Sequence, residues 1–307
     1  MGASRTLVGT FAALAAVAGA AGWFVSAPQG LDEPALASLG PGDAGNGERL
    51  FWAGGCSSCH AGPDAQGEAR LSLGGGERLE TQFGTFVAPN ISQHPRDGIG
   101  NWTMAEFANA MLRGISPGGE HLYPAFPYTS YARMTKTDVS DLYAFMKGLP
   151  AVEGRAPGHE VSFPFNIRRG LGLWKRLYLD PTPVVALANP DERVTRGQYL
   201  VEGPGHCGEC HTPRNALGAP DRSQWLAGAP SPEGRGTIPN ITSGEGGIGD
   251  WTEDDIANYL ETGFTPDFDS AGGRMADVVS NMAMLPPEDR AAIAAYLKVI
   301  PAQPGGS

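Results

Sequence analysis

The cysteines constrain this chain most. All four lie in two short units, Cys56-Ser57-Ser58-Cys59-His60 and Cys207-Gly208-Glu209-Cys210-His211. Two disulfides, the usual reading of four cysteines in an exported chain, leave the adjoining histidines unexplained. A four-thiolate zinc site ignores them too, and would have to close across about half of the chain. C-x-x-C-H is the attachment signature of c-type haem. The two thiols sit one helical turn apart and add to the two vinyl groups of the porphyrin, and the next residue turns its imidazole under the iron. The sequence therefore predicts two covalently bound haem c groups. Cys56, Cys59, Cys207 and Cys210 attach them, and His60 and His211 are the proximal iron ligands.

The repeat extends well beyond these units. GERL from Gly47 precedes the first and GQYL from Gly197 the second. Pro89-Asn90-Ile91-Ser92 matches Pro239-Asn240-Ile241-Thr242, and GIGNWT from Gly98 matches GIGDWT from Gly247. Thr103 with Glu106, and Thr252 with Asp255, form capping-box patterns at the next helix. The last helices align without a gap, and Leu142, Phe145, Met146, Leu149 and Ile293, Tyr296, Leu297, Ile300 form core-facing stripes. The predicted fold is mainly α: two tandem class I cytochrome c-like domains, 42–152 and 190–303, behind an N-terminal hydrophobic helix within 1–29. The linker 153–189 carries a basic amphipathic segment, PFNIRRGLGLWKRLYLD. It reads as a connector helix packed across both domains, with contact to a membrane surface or a partner as the alternative.

The 307 residues include 44 Gly and 26 Pro, which imply long loops and a core that needs an apolar cofactor to fill it. A formal charge of −11 disfavours nucleic acid and anionic substrates. Arg5 followed by the apolar run Leu7–Val25 reads as an export signal. Either Ala18-Gly19-Ala20 is cleaved to leave a soluble periplasmic protein, or the run stays as one membrane span with Trp23-Phe24 at the interface. The anchor is the favoured reading, with the body on the periplasmic side of the inner membrane.

Each iron needs a ligand on its second face, and thioether sulfur raises the potential relative to imidazole. In the second domain Met275 leaves room for a loop to cross the haem before the final helix, Met282 is the alternative, and Met284 stands too near the helix start. In the first domain Met111 aligns with Leu260 and reads as core. GGEH from Gly118 matches GGRM from Gly272, which sets His121 against Met275. The expectation is bis-histidine ligation by His60 and His121, with Met134 as the rival. Trp102 and Trp251, with Asn90 and Asn240 nearby, are candidate partners for haem propionates.

GGCSSCHA, APNIS…GIGNWT, HLYPAFPYTSYARMT and PFNIRRGLGLWK resemble the cytochrome c subunits of membrane-bound alcohol, aldehyde and gluconate dehydrogenases. GGRMADVV resembles the last haem domain of those subunits. The relatives usually carry three haem domains, so this chain resembles a dihaem branch. Many have PAMPY where this chain has PAFPY, which sets Phe126 in place of a possible methionine ligand. The resemblance implies electron transfer from a periplasmic dehydrogenase to ubiquinone or an oxidase. A dihaem enzyme, such as a peroxidase or a thiosulfate-oxidising cytochrome, is the alternative, since it needs an iron with a displaceable ligand. A structural or sensor domain is a third possibility, disfavoured by the duplicated haem pair.

Overall fold

A computed structural model of the chain describes residues 2–231 and 236–304, and for residues 2–9, 12 and 15 it gives backbone only. The chain is mostly helical, and its two halves repeat one plan. In the first half, helix Ala44–Ala53 crosses helix Lys136–Met146. In the second, Glu192–Glu202 crosses Pro287–Val299. Both crossings are so close that only glycine fits. A Cβ on Gly47 would lie 2.0 Å from the Asp141 carbonyl oxygen, and one on Gly197 would lie 1.9 Å from that of Ala292. The anticipated stripes face these crossings: Leu142, Met146, Ile293, Tyr296, Leu297 and Ile300 are all buried in one continuous core that runs through both halves.

The two capping boxes form as the sequence predicts. Thr103 Oγ1 accepts from the Glu106 amide while the Glu106 carboxylate accepts from the Thr103 amide, and Thr252 and Asp255 do the same. Each following helix then ends on a glycine in the left-handed region, Gly114 (φ 59°) and Gly263 (φ 79°). The fold also contains strands the mainly helical expectation did not include. Arg78–Thr81, Gly84–Val87 and Glu160–Val161 form a small antiparallel sheet, and Ala229–Pro230 pairs with Thr237–Ile238.

The linker forms helix Gly170–Tyr178 and packs across both halves. Lys175 Nζ donates to the carbonyls of Arg113 and Gly114, capping the C-terminal end of helix Met104–Arg113. Trp174 Nε1 donates to Leu217 O in the second half. Burial, with help from the nearby Arg113 charge, pushes the Lys175 ammonium down to about 7. The N-terminal helix spans Gly2–Val25. The anticipated membrane span is not met: among the described residues, no helix is long and apolar enough to cross a membrane. The side chain of Arg5 lies outside the described residues.

Reciprocal contacts tie the halves together. Asp289 at the start of the last helix takes Arg196 Nε at 2.9 Å from its own half and Arg49 Nη2 at 3.0 Å from the other. Its counterpart Asp138 accepts from Asn46 at 2.8 Å and from the Tyr199 hydroxyl across the interface. Burial alone would raise the Asp289 carboxyl, but the hydrogen bond and charge of Arg196, then those of Arg49, outweigh it and hold the group below the usual range. A carboxyl depressed by folding stabilises above its unfolded pKa of ~4 and loses that contribution as pH falls below it. Asp289→Ala is therefore expected to cost about 2–3 kcal/mol at neutral pH. The gap from the parent should shrink below about pH 4. Denaturant melts at both pH values check this; an equal gap at the two would reject it.

Candidate haem attachment sites

Each attachment unit forms one short helix at the end of a crossing helix. In the first half the chain leaves Ala53 and passes Gly55 in the left-handed region (φ 57°). It then winds through Cys56–His60. Cysteines three apart share a face of that turn, and the histidine is rotated ~100° on from the second of them. In the second half His206 holds the slot of Gly55, itself at positive φ (39°), before Cys207 and the helix Gly208–His211. That cost to a non-glycine residue is offset by a contact, because His206 Nε2 lies 3.1 Å from Gly54 O of the other turn. Nothing in the sequence beyond adjacency to Cys207 marks this residue.

Both proximal histidines are fixed in the same way. His60 Nδ1 lies 2.8 Å from Pro89 O, and His211 Nδ1 lies 2.8 Å from Pro239 O. A carbonyl only accepts, so Nδ1 carries the proton and the Nε2 lone pair is left for a metal. Desolvation keeps each imidazole below its ordinary pKa, partly opposed by the bond to the proline carbonyl, which favours the neutral ligand form. The backbone cradle repeats too: Gly75 N donates to His60 O and Gly228 N to His211 O, both at 2.8 Å. A Cβ at Gly75 would come within 2.5 Å of the Pro89 carbonyl.

The four thiols are free and form no disulfide. Cys56 and Cys207 are half-buried by area, yet desolvation, with the partner cysteine's charge adding, pushes each up to about 12. Among the described residues no group of His, Cys, Asp or Glu converges as a metal cage, so the zinc alternative has no site there. What remains is a donor set that fits haem c twice over: two thiols on one turn, with an adjoining imidazole whose free nitrogen is Nε2.

The two turns adjoin, and each is clasped by a helix of the other half. Asn281 of the second half pairs with Ser57 Oγ at 2.8 Å and donates to Ser58 Oγ at 2.7 Å. From the first half, Thr129 and Ser130 donate to Glu209 Oε1 at 2.8 and 3.0 Å. Burial would raise the Glu209 carboxyl, but the charge and hydrogen bond of Arg214, then the bond from Thr129, keep it below its ordinary value. Tyr131 adds a contact, its ring edge-on to His206 of the second half at 5.7 Å while its hydroxyl donates to Gly54 O of its own half at 3.3 Å. Burial, then the charges of Cys56 and Cys59, push its phenol well above the usual range.

The predicted distal residues fare differently. Met275 is half-buried against the core, while Met282 is buried and Met284 half-exposed. His121 is buried, but its Nε2 is taken by Ser26 O at 2.9 Å. Nor does it occupy the place of Met275, as the glycine match suggested. Bridges pair Ile115 with His121 and Phe264 with Ser270, so His121 is the counterpart of Ser270. Asn90 and Asn240 are spent on the backbone. Their Nδ2 groups donate to Val152 O and to Gln303 O, tying the proline loops to the chain after each last helix.

Residues 44–150 match the family model described as Cytochrome c. A diheme cytochrome c-type protein of Cereibacter sphaeroides is 58% identical over 292 residues, 94% of this chain and 96% of its own length. The fructose dehydrogenase cytochrome subunit of Gluconobacter japonicus is 38% identical over 88% of this chain and 55% of its own. The cytochrome c subunit of the quinone alcohol dehydrogenase of Gluconobacter oxydans is 36% identical, over 93% and 61%. The chain thus spans little more than half the length of these dehydrogenase subunits. With two matching thiol–imidazole turns and a relative this similar over nearly all of both lengths, the chain belongs to the dihaem c-type cytochromes and carries covalently bound haem c.

Proposed function

We propose that the protein is an exported electron relay, taking electrons from a dehydrogenase and passing them to a quinone, another cytochrome or a terminal oxidase. Each half, 42–152 and 190–303, is read as one cytochrome c-like domain with its own haem. His60 and His211 are the proximal ligands and Met275 is the sixth ligand of the second iron. One observation carries the reading: the two attachment turns adjoin, His206 Nε2 against Gly54 O, and each is also held by the other half, the first by Asn281 and the second through Glu209. Redox groups on adjoining turns exchange electrons directly, and the protein's work is to fix their potentials and separation. Relatives that are cytochrome subunits of fructose and alcohol dehydrogenases support a dehydrogenase as the donor.

Attachment to the periplasmic face of a membrane is part of this proposal, with the N-terminal helix as the means. Trp23 and Phe24 at its end are 62% and 76% exposed. They adjoin the linker helix, whose Arg169 lies 4.2 Å over the Trp23 ring and whose Arg176 donates to Val25 O at 2.7 Å. The linker exposes Phe163, Leu173 and Leu177 on the surface. From 161 to 179 it holds four basic residues and no acidic one, in a chain of charge −11. An apolar, locally basic rim on an acidic protein suits an anionic lipid surface.

The test is purification of the full-length protein from its own membranes in mild detergent. A dehydrogenase is expected to accompany it, and that enzyme's substrate is expected to reduce both haems. A protein found in the soluble fraction at low salt, or whose haems stay oxidised when substrate is added, rejects the corresponding part of the reading.

A further inference from the structure

We propose that Phe126 covers the distal side of the first haem site where Met275 closes the second, so that the first iron has one protein ligand, His60, and takes a small neutral diatomic ligand on its other face. The inference rests on haem attachment at Cys56–His60 and is independent of which redox partners the protein serves.

The internal repeat supplies the argument. After each capped helix the chain makes the same hairpin with the same hydrogen bonds. Ser116 N donates to Glu120 O and Thr265 N to Asp269 O, both at 2.9 Å. Leu122 N donates to Gly114 O and Ala271 N to Gly263 O, both at 2.8 Å. The hydroxyls of Ser116 and Thr265 accept from the Glu120 and Asp269 amides at 3.1 and 3.0 Å. The register then continues unbroken into the next turn: Phe126 N donates to Tyr123 O at 3.0 Å, and Met275 N to Gly272 O at 3.2 Å. Phe126 and Met275 are thus the same position of the fold. Both are half-buried against the core. The thioether of methionine has a lone pair for iron, and phenylalanine has none.

The two rival donors stand at other positions of the fold. His121 gives Nε2 to Ser26 O, and its Nδ1 is buried without a hydrogen-bond partner among the described residues. The linker helix presses on that ring, since a Cβ at Gly172 would lie 2.8 Å from its Nε2 and 2.1 Å from Ser26 O. His121 is thereby held against the N-terminal helix end. Met134 repeats Leu285: Met134 N donates to Tyr131 O as Leu285 N does to Met282 O, and both side chains are buried. A residue whose counterpart is leucine, immediately before the last helix, fills core.

What surrounds Phe126 selects the ligand class. Its ring lies 5.4 Å from Tyr131 and 6.4 Å from Tyr128, in an aromatic wall. The Tyr128 hydroxyl is buried without a partner among the described residues, and Tyr131 points its own at Gly54 O. The cation on this wall, Lys175 Nζ at 4.6 Å over the Tyr128 ring, is spent on the carbonyls of Arg113 and Gly114 and does not offer itself to an anion. Such a wall favours carbon monoxide or nitric oxide over cyanide or azide.

The experiment titrates the reduced full-length holoprotein with carbon monoxide and records the spin state of the oxidised protein by electron paramagnetic resonance. The expected result is one carbon monoxide bound per two haems, with one high-spin and one low-spin iron. Phe126→Met is expected to lower carbon monoxide affinity at least tenfold and make both irons low-spin. Met275→Phe is expected to bind two equivalents, a result that does not depend on how Phe126→Met folds. His121→Ala and Met134→Leu should leave the stoichiometry at one. Two low-spin irons with no uptake in the parent overturn the proposal, as does uptake that appears only in His121→Ala or Met134→Leu.

Discussion

Gly197→Val is expected to break the second half of the protein. The glycine sits where helix Glu192–Glu202 crosses helix Pro287–Val299, and a Cβ there would lie 1.9 Å from Ala292 O and 2.6 Å from the carbonyl carbon. These are backbone atoms inside a hydrogen-bonded helix, so no rotamer change relieves the clash. The helices must part, which uncovers Leu200, Ile293 and Tyr296, each at most 3% exposed. Overpacking that a side chain can absorb costs about 1–3 kcal/mol. With backbone on both sides the cost should exceed ~3 kcal/mol, a large share of the stability of an ordinary domain. The check is denaturant unfolding of the holoprotein, followed at the second haem's absorbance. Gly47→Val should do the same to the first half, where the Asp141 carbonyl stands at 2.0 Å. Native stability in both variants would show that these crossings do not hold the fold.

Much of this was legible because local rules decide it. The C-x-x-C-H turns, the capping boxes at Thr103 and Thr252, and the apolar stripes at Leu142 and Ile293 each depend on residues within one or two turns of each other. The distal residue of the first half was not legible in that way. Matching Gly118-Gly119-Glu120-His121 to Gly272-Gly273-Arg274-Met275 compares glycines, whose similarity carries no register. The hairpin is instead measured from the left-handed glycines Gly114 and Gly263 that end the preceding helices. Counted from there, His121 meets Ser270 and Phe126 meets Met275. The two-residue difference between the halves falls later, where helix Arg274–Met282 is longer than its counterpart Tyr128–Tyr131. The contacts between the halves were also hidden. Asn281, Glu209, Asp289 and His206 acquire their roles only once the two repeats face each other, and one chain's string has no term for that. The linker's basic and apolar residues read as a connector helix, with surface contact as the alternative; helix Gly170–Tyr178 bonds to both halves through Lys175 and Trp174.

Met275→Ala is expected to lower the potential of the second haem and leave the first unchanged. The proposed ligand pair there is the His211 imidazole, set by Pro239 O, and the Met275 thioether. Sulfur stabilises the ferrous state relative to a nitrogen or water ligand. Axial ligands span ~0.8 V of haem potential, so losing one thioether should move the midpoint down by roughly 0.1–0.2 V. Spectroelectrochemical titration should then show one wave displaced and one in place. Because Phe126 already stands at the equivalent position of the first half, the displaced wave should move toward that of the first haem and the two should draw together. A second wave that stays put would transfer the ligand to Met282, the buried methionine whose counterpart is Tyr131. In that event Phe126 would no longer stand at a ligand position, and the asymmetry between the two irons would have to lie in the Tyr131 and Met282 pair instead.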